Sequence, residues 1–255
     1  MNLQAALSFP FKDSNWIVKL LIGGVLSLVS LYPMVVGFLM GESTFIRIST
    51  YIIFVLLLGV FFAALGYAFS IMKGALQGQA PSLPEWKGWD LLFKDGVQVF
   101  VVFLAYGIVV GLIGALVSMV FTRIPIIGAI LSLLQIMVGL LVLISGPFIG
   151  IALCKLAETG QIVSSFKIPE IFKELKVKVA EYITISLIIL GIMEVIKISL
   201  GLNFYQYVLA ARMFWRVSVS FPLVGLLTPF VMFWILIVSF RMYGEAYKKR
   251  STLAD

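Results

Sequence analysis

The sequence predicts an all-α, polytopic integral membrane protein. Six transmembrane helices form a single domain over residues 1–255, with two or three amphipathic helices lying in the headgroup plane. Three observations predict it. Hydrophobic residues make up 62% of the chain and charged residues only 12%, against about 45–50% and about 25% in soluble domains. Mean hydropathy is +1.12. The apolar residues fall in continuous runs, each reaching the roughly 20 residues that a helix needs to cross a bilayer. The runs lack period-two alternation, which favours helix over barrel strand.

The runs are Trp16–Met40, Phe45–Met72, Val97–Phe121, Ile124–Cys154, Tyr182–Leu202 and Val217–Arg241. The first exceeds the length of a signal-peptide core, so it is read as a retained span. Gly41–Thr44 and Thr122–Arg123 are short enough to be tight turns between antiparallel helices. Lys73–Gly96, Lys155–Glu181 and Asn203–Arg216 are longer connections. Most of the 19 Lys and Arg fall on the side shared by the N-terminal segment, the second and fourth connections and the C-terminus. The other side holds Arg47, Arg123, Lys197, Arg212 and Arg216. The positive-inside rule then puts both termini in the cytoplasm.

Pro169–Val179 reads as an interfacial helix. Pro169 and Glu170 suit a first turn. Ile168, Phe172, Leu175 and Val179 recur at helical spacing opposite Lys and Glu. Trp86–Lys94 is a second candidate, its two Trp suited to the interfacial belt.

Composition excludes several function classes. Histidine is absent and Cys154 is the sole cysteine, so imidazole chemistry, Cys-cluster metal sites and internal disulfides are excluded. No metal and no cofactor is expected. The net charge of +7 is dispersed at the ends of apolar runs and forms no basic stripe, so nucleic acid is not an expected partner. Membrane lipids are expected partners. A second copy of the chain and a partner membrane protein both stay open. No serine elbow, phosphate-cradling loop or paired catalytic carboxylates occur, and the chain is not expected to be an enzyme.

Phe11-Lys12-Asp13, Phe93-Lys94-Asp95 and Phe172-Lys173-Glu174 each precede an odd-numbered span. Lys73 follows Lys12 by the interval that separates Lys155 from Lys94, and each is followed, after four intervening residues, by Gly-Gln, at Gly78-Gln79 and Gly160-Gln161. This reads as a three-fold repeat of helical hairpins, with units 1–80, 81–165 and 166–255. The alternative, independent membrane-edge residues falling into register, stays open.

Leu83-Pro84-Glu85-Trp86, followed by Trp89-Asp90-Leu91-Leu92-Phe93-Lys94-Asp95-Gly96, resembles an uncharacterised family of prokaryotic polytopic membrane proteins, catalogued as a domain of unknown function. Phe9-Pro10-Phe11-Lys12-Asp13 and Phe172-Lys173-Glu174 fit the same pattern. The resemblance implies a multi-span helical protein and carries no activity or site residues.

Four groups of residues could carry function. Glu194 and Lys197 share a face of the fifth span. They are either a titrating intramembrane site with its counter-charge or an ion pair snorkelling to the outer interface. Arg212 and Arg216 are outer contacts for an anionic ligand or headgroup, or interfacial anchors. Gly146-Pro147, Pro222 and Pro229 are candidate broken-helix positions, since a proline frees a carbonyl one turn back. Gly37/Gly41, Gly107/Gly111 and Gly146/Gly150 are candidate close-packing pairs. A small transporter, channel or lipid-handling protein fits these features. The few polar residues within the spans favour an apolar substrate. A non-catalytic scaffold or assembly subunit that binds partners or shapes the bilayer is the alternative.

Overall fold

A computed structural model of the chain describes residues 3–40, 44–121, 127–199 and 220–248. Among them every regular element is helical. In order these are α1 (Leu3–Ser8), a 3-10 turn (Phe9–Lys12), α2 (Trp16–Met40), α3 (Thr44–Gln77), α4 (Trp89–Phe121), α5 (Ile127–Thr159), a second 3-10 turn (Ile162–Phe166), α6 (Ile168–Val177), α7 (Val179–Ser199) and α8 (Ser220–Lys248). Three stretches, Tyr51–Gln77, Trp89–Leu116 and Thr228–Lys248, are long and apolar enough to cross a membrane, and Gln4–Lys12 with Trp16–Ser30, bent by 98°, adds a fourth if that pair forms one span. The predicted tight turns lie largely outside the described residues.

The predicted run Trp16–Met40 coincides with α2, but α3, α4 and α5 run further than their apolar runs. At about 1.5 Å per residue, the 34 residues of α3 reach roughly 50 Å, well beyond the hydrocarbon core of about 30 Å. Hydropathy marks where a helix leaves the lipid, not where its hydrogen bonds stop. The expected interfacial helix at Trp86–Lys94 is thereby corrected. Gly88 turns the chain at φ +66°, and Trp89–Lys94 forms the opening turns of α4, with Asp90 at its positive end.

The Gly-Gln pairs have a structural cause. Gly78 and Gly160 adopt left-handed backbone, at φ +75° and +68°, where a β-carbon would be strained. After α3, Gly78 N–H reaches Ala75 O and Gln79 N–H reaches Gly74 O; after α5, Gly160 N–H reaches Leu156 O. Both glycines close a helix end that would otherwise leave carbonyls unsatisfied. The three Phe-Lys-acid triplets differ in backbone: a 3-10 turn, the interior of α4 and the interior of α6.

α3 packs against α2, α4 and α8, while α8 also touches α5 and α7, so the last helix returns beside the first long one. Tyr67, Phe69, Met72, Ile151, Leu156 and Ile237 are among the buried core side chains. α3 and α4 cross at backbone contact: a β-carbon on Gly66 would collide with the Leu92 carbonyl, and one on Gly96 with the Phe62 carbonyl. Gly107 and Gly111, expected at a helix contact, have no described atom within 4 Å of a β-carbon placed there. They fall on the outer side of α4. Gly146 and Gly150 instead make room for Ser186 and Tyr243.

Candidate functional site at the loop-side end

One end of the bundle gathers the polar chemistry of the described residues: α1, the connections 78–88 and 160–167, α6 and the last turns of α8. Its centre is Lys19, near the start of α2. A cation inside an apolar run must find acceptors or reach water. Lys19 is only 6% exposed and finds three. Its ammonium lies 2.9 Å from Asp13 Oδ2 and 2.7 Å from Glu85 Oε1, and it donates to Leu83 O at 2.9 Å. Three donors meet three oxygens. The Lys19 hydrogen bond holds the Asp13 carboxyl below its ordinary range, assisted by the Asn15 backbone N–H.

The same clamp fastens Leu83-Pro84-Glu85-Trp86. Leu83 is buried. Tyr67 donates its hydroxyl to Pro84 O at 2.9 Å, and its ring stacks on Trp86 with centroids 3.9 Å apart. Trp86 donates Nε1–H to Lys19 O at 3.1 Å. The four-residue segment is thus held by α2 and α3 through main-chain and side-chain groups alike.

Further polar contacts tie successive parts of the chain together. Lys73 meets Asp95 at 2.7 Å and Lys155 meets Glu170 at 2.7 Å. Each pair joins the end of one long helix to the segment that follows the next connection. Lys155 and Lys167 hold the Glu170 carboxyl below its usual range. Tyr247 donates to Glu158 at 2.8 Å, and Lys178 to Ala246 O at 2.8 Å. Arg241 pairs with Glu245 at 2.6 Å, donates to Gln79 O at 3.3 Å and sits over the Phe9 ring.

Beside this network α1 and α8 leave a shallow cleft of about 390 Å³, lined by Gln4, Leu7, Ser8, Phe11 and Trp234. Trp234 Nε1 is buried and has no hydrogen-bond acceptor among the described residues. An unmet buried donor costs about 1–3 kcal/mol, which makes the indole a notable member of that wall. Among the described residues, no three His, Cys, Asp or Glu side chains are grouped as a metal site requires.

The residues singled out from the sequence are scattered. Glu194 is exposed on α7. Lys197 follows one turn later in the same helix, and its side chain lies outside the described residues. Arg212 and Arg216 lie outside them as well. α5 continues as helix through Pro147 and α8 through Pro229, while Pro222 sits in the first turn of α8, where proline needs no donor. Next to Gly146, the Ser186 and Tyr243 hydroxyls hydrogen-bond at 2.8 Å, which adds a buried polar contact between α7 and α8 at the proline of α5. Sequence reasoning missed Lys19, Ser186, Trp234 and Tyr243 as site members. For Lys19 the signal was present: a lone cation one turn inside an apolar run requires a partner.

Residues 48–205 match the family described as Protein of unknown function (DUF4013). The chain belongs to that family. The matched stretch begins within α3 and takes in the Leu83–Trp86 segment, α4, α5, α6 and α7. The clamp around Lys19 therefore joins the family region to a helix that precedes it. No curated protein and no solved structure matches the chain.

Proposed function

We propose that this chain is a six-span protein of a prokaryotic plasma membrane, with both termini cytoplasmic, that handles a lipid or another apolar molecule as a small transporter or channel-like protein. The cleft between α1 and α8 carries the reading. It is a shallow, open groove of about 390 Å³, shaped to take part of an acyl chain rather than to enclose a small molecule. Its walls are largely apolar, and Trp234 brings a buried donor that lacks an acceptor. The cleft, lined from units 1–80 and 166–255, would then lie at the inner leaflet. Glu194, Lys197, Arg212 and Arg216 would face the outer leaflet as counter-charges or headgroup contacts. No reaction, metal or cofactor enters this reading.

Native mass spectrometry of gently extracted protein tests it. A retained lipid of defined mass is expected, and Leu7→Trp, which fills the cleft, should remove it. Trp234→Phe should weaken retention while leaving the lipid-free protein as stable as before or more so. A lipid-free chain, or adducts indifferent to both substitutions, would sink the reading.

One observation favours the alternative, a non-catalytic scaffold. The outer side of α4 exposes Leu104, Ile108, Leu112 and Leu116, a flank that a partner protein could cover. A stoichiometric partner protein in the same spectrum would move the conclusion there.

A further inference from the structure

We infer that α6, with the turn before it, binds the acidic phosphodiester headgroups of a bilayer leaflet, and that it selects anionic over zwitterionic lipid. The sequence leads to an amphipathic helix, and the structure decides which face goes where. Ile171 and Glu174 are buried against the bundle. Ile168, Phe172 and Val177 face outward, beside Val163 and Phe166 of the preceding turn, all exposed. The helix therefore keeps an apolar outer face that its own bundle covers only in part, where Phe172 meets Phe148 and Phe166 meets Tyr106.

The charges on that face are unequal. Lys173 and Lys176 are exposed, and the Lys176 ammonium sits 4.6 Å from the centroid of the Phe172 ring. The carboxylates of the helix offset these cations less than their number implies. Glu174 is buried, and Glu170, although half exposed, already meets Lys155 at 2.7 Å and Lys167 at 3.3 Å. The outward face is left with cation beside apolar ring, the pairing that suits the boundary between headgroup and acyl chain. α6 also stands between the end of α5 and the start of α7, where long helices leave the hydrocarbon. Charge and position together favour an acidic leaflet over a second copy of this basic chain.

The inference does not rest on the cleft. Its test uses the full chain in nanodiscs of phosphatidylglycerol and phosphatidylcholine, with two readouts. Native mass spectrometry counts which lipid stays bound, and hydrogen exchange reads residues 168–177. Wild type should enrich phosphatidylglycerol about 25-fold, from roughly fivefold for each of the two lysines near an acidic surface. The enrichment should fade with salt, and α6 should exchange more slowly than in pure phosphatidylcholine. Lys173→Gln with Lys176→Gln should abolish both effects, Lys173→Arg with Lys176→Arg should keep them, and Leu7→Trp, whatever it does to lipid in the cleft, should leave the slowed exchange of α6 unchanged. Equal retention of the two lipids, selectivity unchanged in the Gln pair, or protection that appears only with dimerisation would overturn the inference.

Discussion

The loop-side end and the outer flank of α4 invert the usual arrangement of a protein. At the first, Lys19, Lys155 and Arg241 are 6%, 9% and 7% exposed and each has an acidic partner. At the second, Ile108 and Leu116 are 54% and 63% exposed. The difference follows from the solvent expected around each. In lipid, apolar side chains gain little by leaving their surroundings for a neighbouring helix, so close packing and polar contacts must fasten helices instead. Among the described residues the fold concentrates those contacts at one end and at the α3–α4 crossing, and Ser186 with Tyr243 adds one between α7 and α8. The identity of the flank residues then matters little, and that of the clamp residues matters a great deal.

The largest expected effect tests the clamp. Lys19→Met leaves Asp13 and the Leu83 carbonyl without their cation. Removing one partner of a buried pair costs about 3–5 kcal/mol, and the exposure of Glu85 sets the expectation at the lower end. Thermal unfolding in detergent should show it, with Asp13→Asn in the Lys19→Met background recovering part of the loss. A Lys19→Met protein as stable as wild type would break the comparison.

Next comes the crossing. Gly66→Val puts branched carbon against the backbone of Leu92, where overpacking costs about 1–3 kcal/mol. Gly107→Val meets open space among the described residues and should change stability by less than about 0.5 kcal/mol. Equal losses at the two positions would show that the crossing is not special.

These two sites also show what was legible in the sequence. The apolar runs located the long helices, and the charge distribution located the end where Lys19, Lys73 and Lys155 gather. The Gly-Gln pairs were read as marks of a repeat, and their role in closing two helix ends became visible only with their left-handed backbone. The Gly66/Gly96 crossing was not legible, because a search for Gly-x3-Gly finds two glycines on one helix, whereas this contact uses one from each. The start of α4 was missed because Asp90, Lys94 and Asp95 end the apolar run without ending the helix, and Lys73 takes up Asp95. The cleft was missed because α1 is too short to show a period. Glu194, Lys197, Arg212 and Arg216 remain sequence proposals.

A smaller effect comes from acid. Lys19 holds the Asp13 carboxyl below the ordinary value of about 3.9. The stabilisation is therefore complete above that value and is lost as pH falls through the lowered folded value. Asp13→Asn should cost about 1.5 kcal/mol near neutral pH, the scale of a hydrogen bond to a charged group. It should also flatten the decline of melting temperature between pH 5 and 3. An unchanged acid limb would assign the decline to other carboxylates.

The smallest effect expected sharpens the comparison most. Ile108→Ala with Leu112→Ala shortens two side chains on the α4 flank. If lipid covers them, the shortened side chains lose few protein contacts and leave no cavity, because lipid fills the space. Stability should then change by less than about 0.5 kcal/mol, with the oligomeric mass unaltered. If a protein partner covers them, the same change removes packed atoms from an interface, where large-to-small substitutions cost about 2–5 kcal/mol each, and the assembly should dissociate. Sedimentation of the double variant beside wild type separates the two outcomes. An unchanged mass keeps α4 as the lipid face of a protein fastened at its other end, whereas a lighter species makes that flank the site of assembly.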